Sequence, residues 1–441
     1  MSRNRGPGDE NGPNPFGLSN DTNLFSAVRK SIQRGDSLPQ VLGQLKYIDD
    51  LSFPGMLFAK VLRSQHPHAR IISIDLREAE ALPGVAATLT AKEIPVNSFG
   101  PSLKDQPVLA GEKVRHLGDG VAAVAAVNEQ VAVEALSKIR VEYEPLPAVY
   151  DPLEAMRDDA PRVHEPNSNI CIRHRIYKGN VEEALAQAHL VVEAQYSTQM
   201  VEHAHIEPHA AIALWDAWGR LTVWTSLGRI SLARTDLARV LNLPINKIRV
   251  VSTQVGGNFG GKNEITLEPV ISLLAKKTGR PVKGVYTRRD EFVSSTTRHP
   301  FVMDYTTGVT ESGRILARKV RIVADAGAYC SWSETTLAKA TILSAGPYQI
   351  ENFAADAYAV YTNKTVTGAM RGFGAPQICF AYESHMDSIA HRLAMDPLQI
   401  RMLNAFDEGS TGPTGQVLRS VAIKKTLIEA AQRFEWKEGR P

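Results

Sequence analysis

The chain has 441 residues, 43% hydrophobic and 22% charged, with a formal net charge of +3. That is enough for roughly two to four domains with real cores, and the mixed charge supplies no basic face for nucleic acid. Its three cysteines, Cys171, Cys330 and Cys379, form no C-x-x-C pair, so alone they can hold neither an iron–sulfur cluster nor a structural zinc.

Met1 to about Asn20 is rich in Gly, Pro and Asn and nearly devoid of apolar side chains. Such a segment cannot offset its ordering entropy, so residues 1–39 are read as a disordered tail, with Phe25–Ile32 a short docking helix. Met56–Leu62 and Gly120–Val127 are expected to be buried strands. Val131, Ala135, Leu136 and Ile139 mark a helix face, and Ile139, Val141 and Tyr143 alternate as a strand. Asp151–Ser168, rich in Asp, Pro and Asn, is expected to be a linker. Beyond it come a helix at Val181–Ala188, strands at His189–Ser197 and Arg220–Ser226, and a helix at Ser231–Leu241. Val270, Ile271 and Leu274 form one helical face. Strands are expected at Pro281–Thr287, Phe301–Thr307 and Arg314–Ala326, the last as a sheet edge or ribbon. Helices at Gln377–Met395, Pro397–Leu403 and Leu418–Phe434 close the chain. The apolar runs are too short to span a bilayer. With few cysteines and no hydrophobic leader, the expected compartment is the cytoplasm.

Three stretches carry chemistry. The first is Val250–Lys262, V-V-S-T-Q-V-G-G-N-F-G-G-K, a β-branched run entering a loop of four glycines around Asn258 and Phe259. Such a loop brings backbone N–H groups close to an electron-rich ligand, or is a plain surface turn. Gly256-x4-Gly261-Lys262 also fits seven positions of a nucleotide-binding P-loop. Asn263 then lacks the Mg²⁺-binding hydroxyl, and Pro269 interrupts the helix that should follow. The second stretch is Gly368–Gln377, G-A-M-R-G-F-G-A-P-Q, where Phe373 between two glycines either projects from the loop or caps the helix behind it. The third is H-A-H-I-E-P-H. His203, His205, Glu207 and His209 are zinc-ligand types and would share one face of a strand that Pro208 then breaks. They are read as hydrogen-bonded structural residues. His66 and His68, separated by a turn-forming proline, are likewise not read as ligands.

These motifs resemble the xanthine oxidase family of molybdenum hydroxylases. D-D-L-S-F-P-G-M-L-F-A-K-V-L-R-S-Q-H-P-H-A-R-I (Asp49–Ile71), V-R-H-L-G-D-G-V-A-A-V (Val114–Val124) and V-E-Y-E-P-L-P-A-V (Val141–Val149) are similar to its α/β-hammerhead domain. The Q-V-G-G-N-F-G-G-K and R-G-F-G-A-P-Q loops and the E-P-H run are similar to its molybdenum domain. The fold implied is α+β, a hammerhead domain over residues 40–152 followed by the first half of a molybdenum-cofactor-binding domain over 153–441.

The resemblance implies a molybdopterin held by Gly257, Phe259, Gly260 and Arg371, with Phe259 and Arg371 beside the metal. It implies that Phe373 clamps a planar substrate, and that Asn263 and Lys339 stand where purine-oxidising members have a glutamate and an arginine. Gly228 falls where the family has a glutamine near the metal. Single-chain members continue into a second half carrying the glutamate base. Here the chain is read as a half site with no catalytic base of its own, like the split-subunit members. It would share its molybdopterin with a second molybdopterin-binding subunit, and 2Fe-2S and FAD subunits would carry electrons away. Hydroxylation of an electron-poor carbon of an N-heteroaromatic substrate is the activity implied, with a P-loop-like nucleotide-binding protein and a cofactor-less scaffold as alternatives.

Overall fold

The computed structural model describes residues 26–27 and 30–437. The tail Met1–Asn20 lies outside them, as do Phe25, Val28 and Arg29 of the expected docking helix. The chain divides into a unit up to Lys46, which carries the short helix α1 (Ser37–Val41), and a unit from Tyr47 onward.

The second unit begins with strands β1 (Leu57–Arg63) and β2 (Ala69–Asp75), helix α2 (Arg77–Glu80), and strands β3 (Val85–Thr90), β4 (Lys113–Val114) and β5 (Gly120–Ala126). Helix α3 (Glu129–Lys138), strand β6 (Arg140–Pro145), helix α4 (Pro152–Ala155), strand β7 (Ile170–Lys178) and helix α5 (Val181–Ala186) follow. Next are β8 (Leu190–Ser197), β9 (Ala210–Trp215), β10 (Leu221–Thr225), helix α6 (Ile230–Val240) and β11 (Ile248–Ser252). Helix α7 (Glu268–Thr278), β12 (Val282–Val285), helix α8 (Arg288–Ser294), β13 (Phe301–Val309) and β14 (Ile315–Gly327) come after the first glycine loop. The chain then runs through α9 (Ser333–Leu343), β15 (Asn352–Tyr361), α10 (Ala375–Arg392), α11 (Pro397–Asn404) and α12 (Ile423–Arg433).

Three sheets result. The largest has the order β11-β10-β9-β12-β1-β5-β3; a five-stranded sheet runs β7-β15-β14-β13-β8; a small one runs β4-β2-β6. Strand β5, G-V-A-A-V-A-A, is buried along its whole length. Its alternate side chains serve two cores, as a two-residue period requires: Ala122 and Val124 pack with Ala135 of α3, Ala123 and Ala125 with Ile271 and Leu274 of α7. Val270, Ile271 and Leu274 are buried as their spacing predicts.

Strand β1 pairs in parallel with β12, Leu57 opposite Val282, so strands from either side of position 152 share the largest sheet. Three expectations change. The Asp151–Ser168 stretch holds α4 and buries Ala155 and Val163 against Val323 and Val360. A polar composition concealed these few apolar anchors. Strand β14 is central in its sheet, not an edge, because β13 and β15 flank it. Finally, 202–209 is not a strand: Ala204 turns the chain at φ 49°, yet His203, His205 and His209 are still buried.

Candidate functional site

Two loops meet at the site, one from each large sheet. The first leaves β11 and runs through Gly256–Lys262; the second leaves β15 and runs through Gly368–Gly374 into α10. They are joined directly, for Arg371 N–H donates to Phe259 O at 2.7 Å. At Gly260 (φ 112°) an added Cβ would lie 2.4 Å from Ala369 O, so only glycine permits this crossing.

The glycines turn out to serve packing behind the loop. Cβ atoms on Gly256, Gly257 and Gly261 would strike Glu207, His205 and His203 respectively. The H-A-H-I-E-P-H run is therefore the backing of the loop. Glu207 Oε2 accepts from Gly256 N–H and from Lys262 Nζ, both at 2.7 Å. His203 Nε2 donates to Ala369 O at 2.8 Å, tying the backing to the second loop. Lys262 is fully buried, and burial holds its ammonium below the ordinary lysine range. Its engagement with Glu207 removes the lysine a P-loop would offer to phosphates. Helix α7 starts only at Glu268, with Pro269 in its first turn. The nucleotide-binding alternative is thereby lost.

Behind the same loop, one ligand atom from each of His205, His209 and Glu291 lies within 4.8 Å of the others. His209 Nδ1 contacts both Glu291 oxygens at 3.0 Å, and His209 Nε2 faces Gly261 O at 3.2 Å. Burial opposes charge on both partners, but each charge outweighs it for the other: His209 is held above its ordinary value and Glu291 at about 2. This is a buried ion pair with its donors and acceptors already used. Burial, with His209 beside it, pushes His205 down to about 4.

In front, the N–H groups of Gly257, Asn258 and Phe259 have no acceptor among the described residues, and Phe259 is 50% exposed at φ 51°. Asn258 Oδ1 organises the turn by accepting from Gly260 N–H at 2.8 Å and Lys262 N–H at 3.3 Å. A Cβ on Gly228 would lie 2.1 Å from Asn258 Nδ2. Gly228 and Asn258 thus form a matched pair, in which a side chain at 228 would require the Asn258 amide to move. Unpaired backbone donors beside an exposed ring suit an oxo- and phosphate-bearing group.

On the second loop Arg371 is exposed and Phe373 half-buried at φ 49°. Phe373 meets Trp332 edge-on at 6.1 Å, and the Arg229 guanidinium stands 4.9 Å over the Trp332 ring. Lys339 is exposed on α9, where Trp332, Thr336 and Lys339 fall on one face at i, i+4 and i+7. Asn263 is half-buried, and among the described residues its side chain makes no hydrogen bond. The structure thus joins Gly257, Phe259, Gly260 and Arg371 in one crossing, sets Phe373 against α9, and leaves Asn263 and Lys339 unconnected to them by hydrogen bonds. The sequence reading passed over Arg229, Trp332 and Glu264. Glu264 is buried one residue past Asn263, and a signal for it was available: it is an acid at the head of the mostly apolar run Ile265–Ala275.

Comparison with known proteins gives the family. Residues 163–405 match a family model described as a molybdopterin cofactor-binding domain, and 42–147 match the aldehyde oxidase and xanthine dehydrogenase a/b hammerhead domain. The nicotinate dehydrogenase large molybdopterin subunit of Eubacterium barkeri is 40% identical over 93% of this chain and 96% of its own. The xanthine dehydrogenase molybdenum-binding subunit of Escherichia coli O157:H7 is 32% identical over 92% of this chain but 56% of its own. Among solved structures, aldehyde oxidoreductase of Desulfovibrio gigas superposes with a TM-score of 0.88 at 29% identity, covering 91% of this chain and 46% of that one. Quinoline 2-oxidoreductase of Pseudomonas putida 86 superposes at 0.86 and 30% identity, covering 92% and 54%. The chain therefore spans nearly all of one relative and about half of the others. It belongs to the xanthine dehydrogenase and aldehyde oxidase family of molybdenum-dependent oxidoreductases, as a molybdopterin-binding subunit of the nicotinate dehydrogenase type.

Proposed function

We propose that this chain supplies half of a molybdopterin active site that hydroxylates an electron-poor carbon of an N-heteroaromatic substrate with oxygen from water. It works in the cytoplasm with a second molybdopterin-binding subunit, a 2Fe-2S subunit and an FAD subunit. The observation that carries this reading is the crossing of the two loops, with unpaired N–H groups at Gly257–Phe259 and Arg371 exposed beside them. These residues are the ones that would hold the cofactor, which supplies the two-electron oxidation that side chains cannot.

The chain's own contribution is binding and orientation. The Phe373 ring, braced by Trp332, offers a planar substrate an aromatic face. Arg229 puts a cation over the Trp332 ring and Lys339 a second one seven residues along α9, while Asn263 contributes no charge where a glutamate would repel an anion. That balance favours a substrate bearing a carboxylate, such as a pyridine carboxylate, over neutral purines. Two of the similar proteins are named for nicotinate and for quinoline, both N-heteroaromatics.

The test is oxidation of pyridine-3-carboxylate by the assembled complex in ¹⁸O-labelled water. The expected product carries one labelled oxygen, and Lys339→Met weakens this substrate about tenfold while sparing a neutral analogue of the same shape. A clear preference for xanthine, or a product without label, would contradict the proposal.

A further inference from the structure

Beside Phe373 and along the Ser331–Thr336 segment, several buried polar atoms have no partner among the described residues. Glu264 is only 6% exposed; its Oε1 accepts a short hydrogen bond from Ser331 Oγ, while Oε2 has none. Ser331, at φ 43°, directly precedes Trp332, whose indole Nε1–H is also buried and unpaired. Thr336 lies one turn into α9, with its hydroxyl unpaired at 2% exposure and its carbonyl 2.7 Å from where a Cβ on Gly374 would stand. Trp332 and Thr336 thus border Phe373 and its loop, and Glu264 joins them through Ser331. An unsatisfied buried polar group is costly, and several in one shell mark a place that a ligand completes.

The donor and acceptor inventory restricts that ligand. Trp332 Nε1–H can only donate. Ser331 occupies Glu264 Oε1 as donor, which leaves any carboxyl proton on Oε2, the oxygen without a partner among the described residues. Burial pushes the Glu264 carboxyl up to about 7, against the Ser331 hydrogen bond. The charged groups acting on it are Asp236 of α6 and Asp105, which push the same way, and Lys104, which pushes the other. Asp105 is itself engaged by Cys330 N–H at 2.8 Å and the Tyr361 hydroxyl at 2.5 Å.

Resting on the reading that this pocket takes a planar heteroaromatic, we propose that the Glu264 carboxyl and the Trp332 indole N–H form a specificity subsite for a hydrogen-bond acceptor of the substrate, a pyridine-type ring nitrogen. Glu264 selects for the ring, whereas Arg229 and Lys339 select for the charge. Below pH 7 the carboxyl donates to the nitrogen; above it the carboxylate has no proton to give and repels the lone pair.

The experiment uses the assembled enzyme, with KM for pyridine-3-carboxylate and the inhibition constant of benzoate, which has the same shape and charge without the nitrogen. Glu264→Ala and Trp332→Phe should each raise KM roughly tenfold while changing benzoate inhibition less than about twofold, at unchanged molybdenum content. From pH 6 to 8 the wild-type KM should rise roughly tenfold, following the loss of one proton near 7, and in Glu264→Gln it should stay flat. Glu264→Gln keeps the volume and a donor, so it decides the matter even if Glu264→Ala fails to fold. Equal changes for both ligands, or a pH dependence that survives in Glu264→Gln, would overturn the subsite and leave the wider function standing. An enzyme that holds molybdopterin yet neither oxidises nor binds pyridine-3-carboxylate would overturn both.

Discussion

The two glycine loops repeat one device: each holds a phenylalanine in the left-handed region, Phe259 at φ 51° and Phe373 at φ 49°. Their supports differ. The first loop is backed by charge, Glu207 with Lys262 and His209 with Glu291, and its ring stays half-exposed while the N–H groups of Gly257, Asn258 and Phe259 have no acceptor among the described residues. The second is backed by a helix, with Pro376 in the first turn of α10, and its ring leans on Trp332. The first loop thus presents backbone and the second presents a ring. A loop that must hold a fixed row of N–H groups needs a rigid charged clamp behind it. The loop that positions a ring is carried by packing together with hydrogen bonds to its backbone, from His203 to Ala369 O and from Arg298 to Arg371 O.

If this contrast is right, cutting the clamp should do the most damage. Lys262→Met leaves the mostly buried Glu207 carboxylate without its cation and should cost about 3–5 kcal/mol, seen as a large drop in Tm together with lost molybdenum. Gly260→Ala strikes the crossing itself, combining backbone strain with the approach to Ala369 O; about 3 kcal/mol and loss of cofactor are expected by calorimetry and metal analysis. A stable Gly260→Ala protein with full molybdenum would show that the loops need not touch.

Acid should reach both supports through histidines buried in neutral form. Burial, with Arg298 beside it, pushes His299 down to about 3, and His205 lies at about 4. Both folded values fall below the ordinary 6.5, so the unfolded chain takes up protons first. Stability is therefore complete above pH 6.5 and lost as pH falls toward 4. For His299 alone this amounts to roughly 2–3 kcal/mol between pH 6.5 and 4.5. Equilibrium denaturation at the two pH values measures it, and His299→Gln should flatten that part of the curve. Phe373→Ala should have the smallest effect: about three- to tenfold in kcat/KM for a flat aromatic substrate, with molybdenum intact. If it loses the metal instead, the second loop is as structural as the first.

The loops were legible because their glycines and their order in the chain are local signals. What the glycines approach was not, because His203, His205 and Glu207 reach Gly256–Gly261 from about fifty residues away. Strand β14 read as an edge because alternation reports which faces are buried and says nothing of its neighbours on either side. Trp332 and Glu264 escaped notice since their contact runs through Ser331, and only the fold brings residue 264 to residue 331. Lys339 could be placed beside Trp332 and Thr336 from helical spacing alone, once the helix was known to begin at Ser333.

Whether the crossing loops form one half of a molybdopterin site is decided by molybdenum and pterin content, measured on this chain purified alone and together with a second molybdopterin-binding subunit. Little cofactor is expected in the chain alone and about one molybdopterin per copy in the pair. Full cofactor in the isolated chain, or none in the pair, would contradict it.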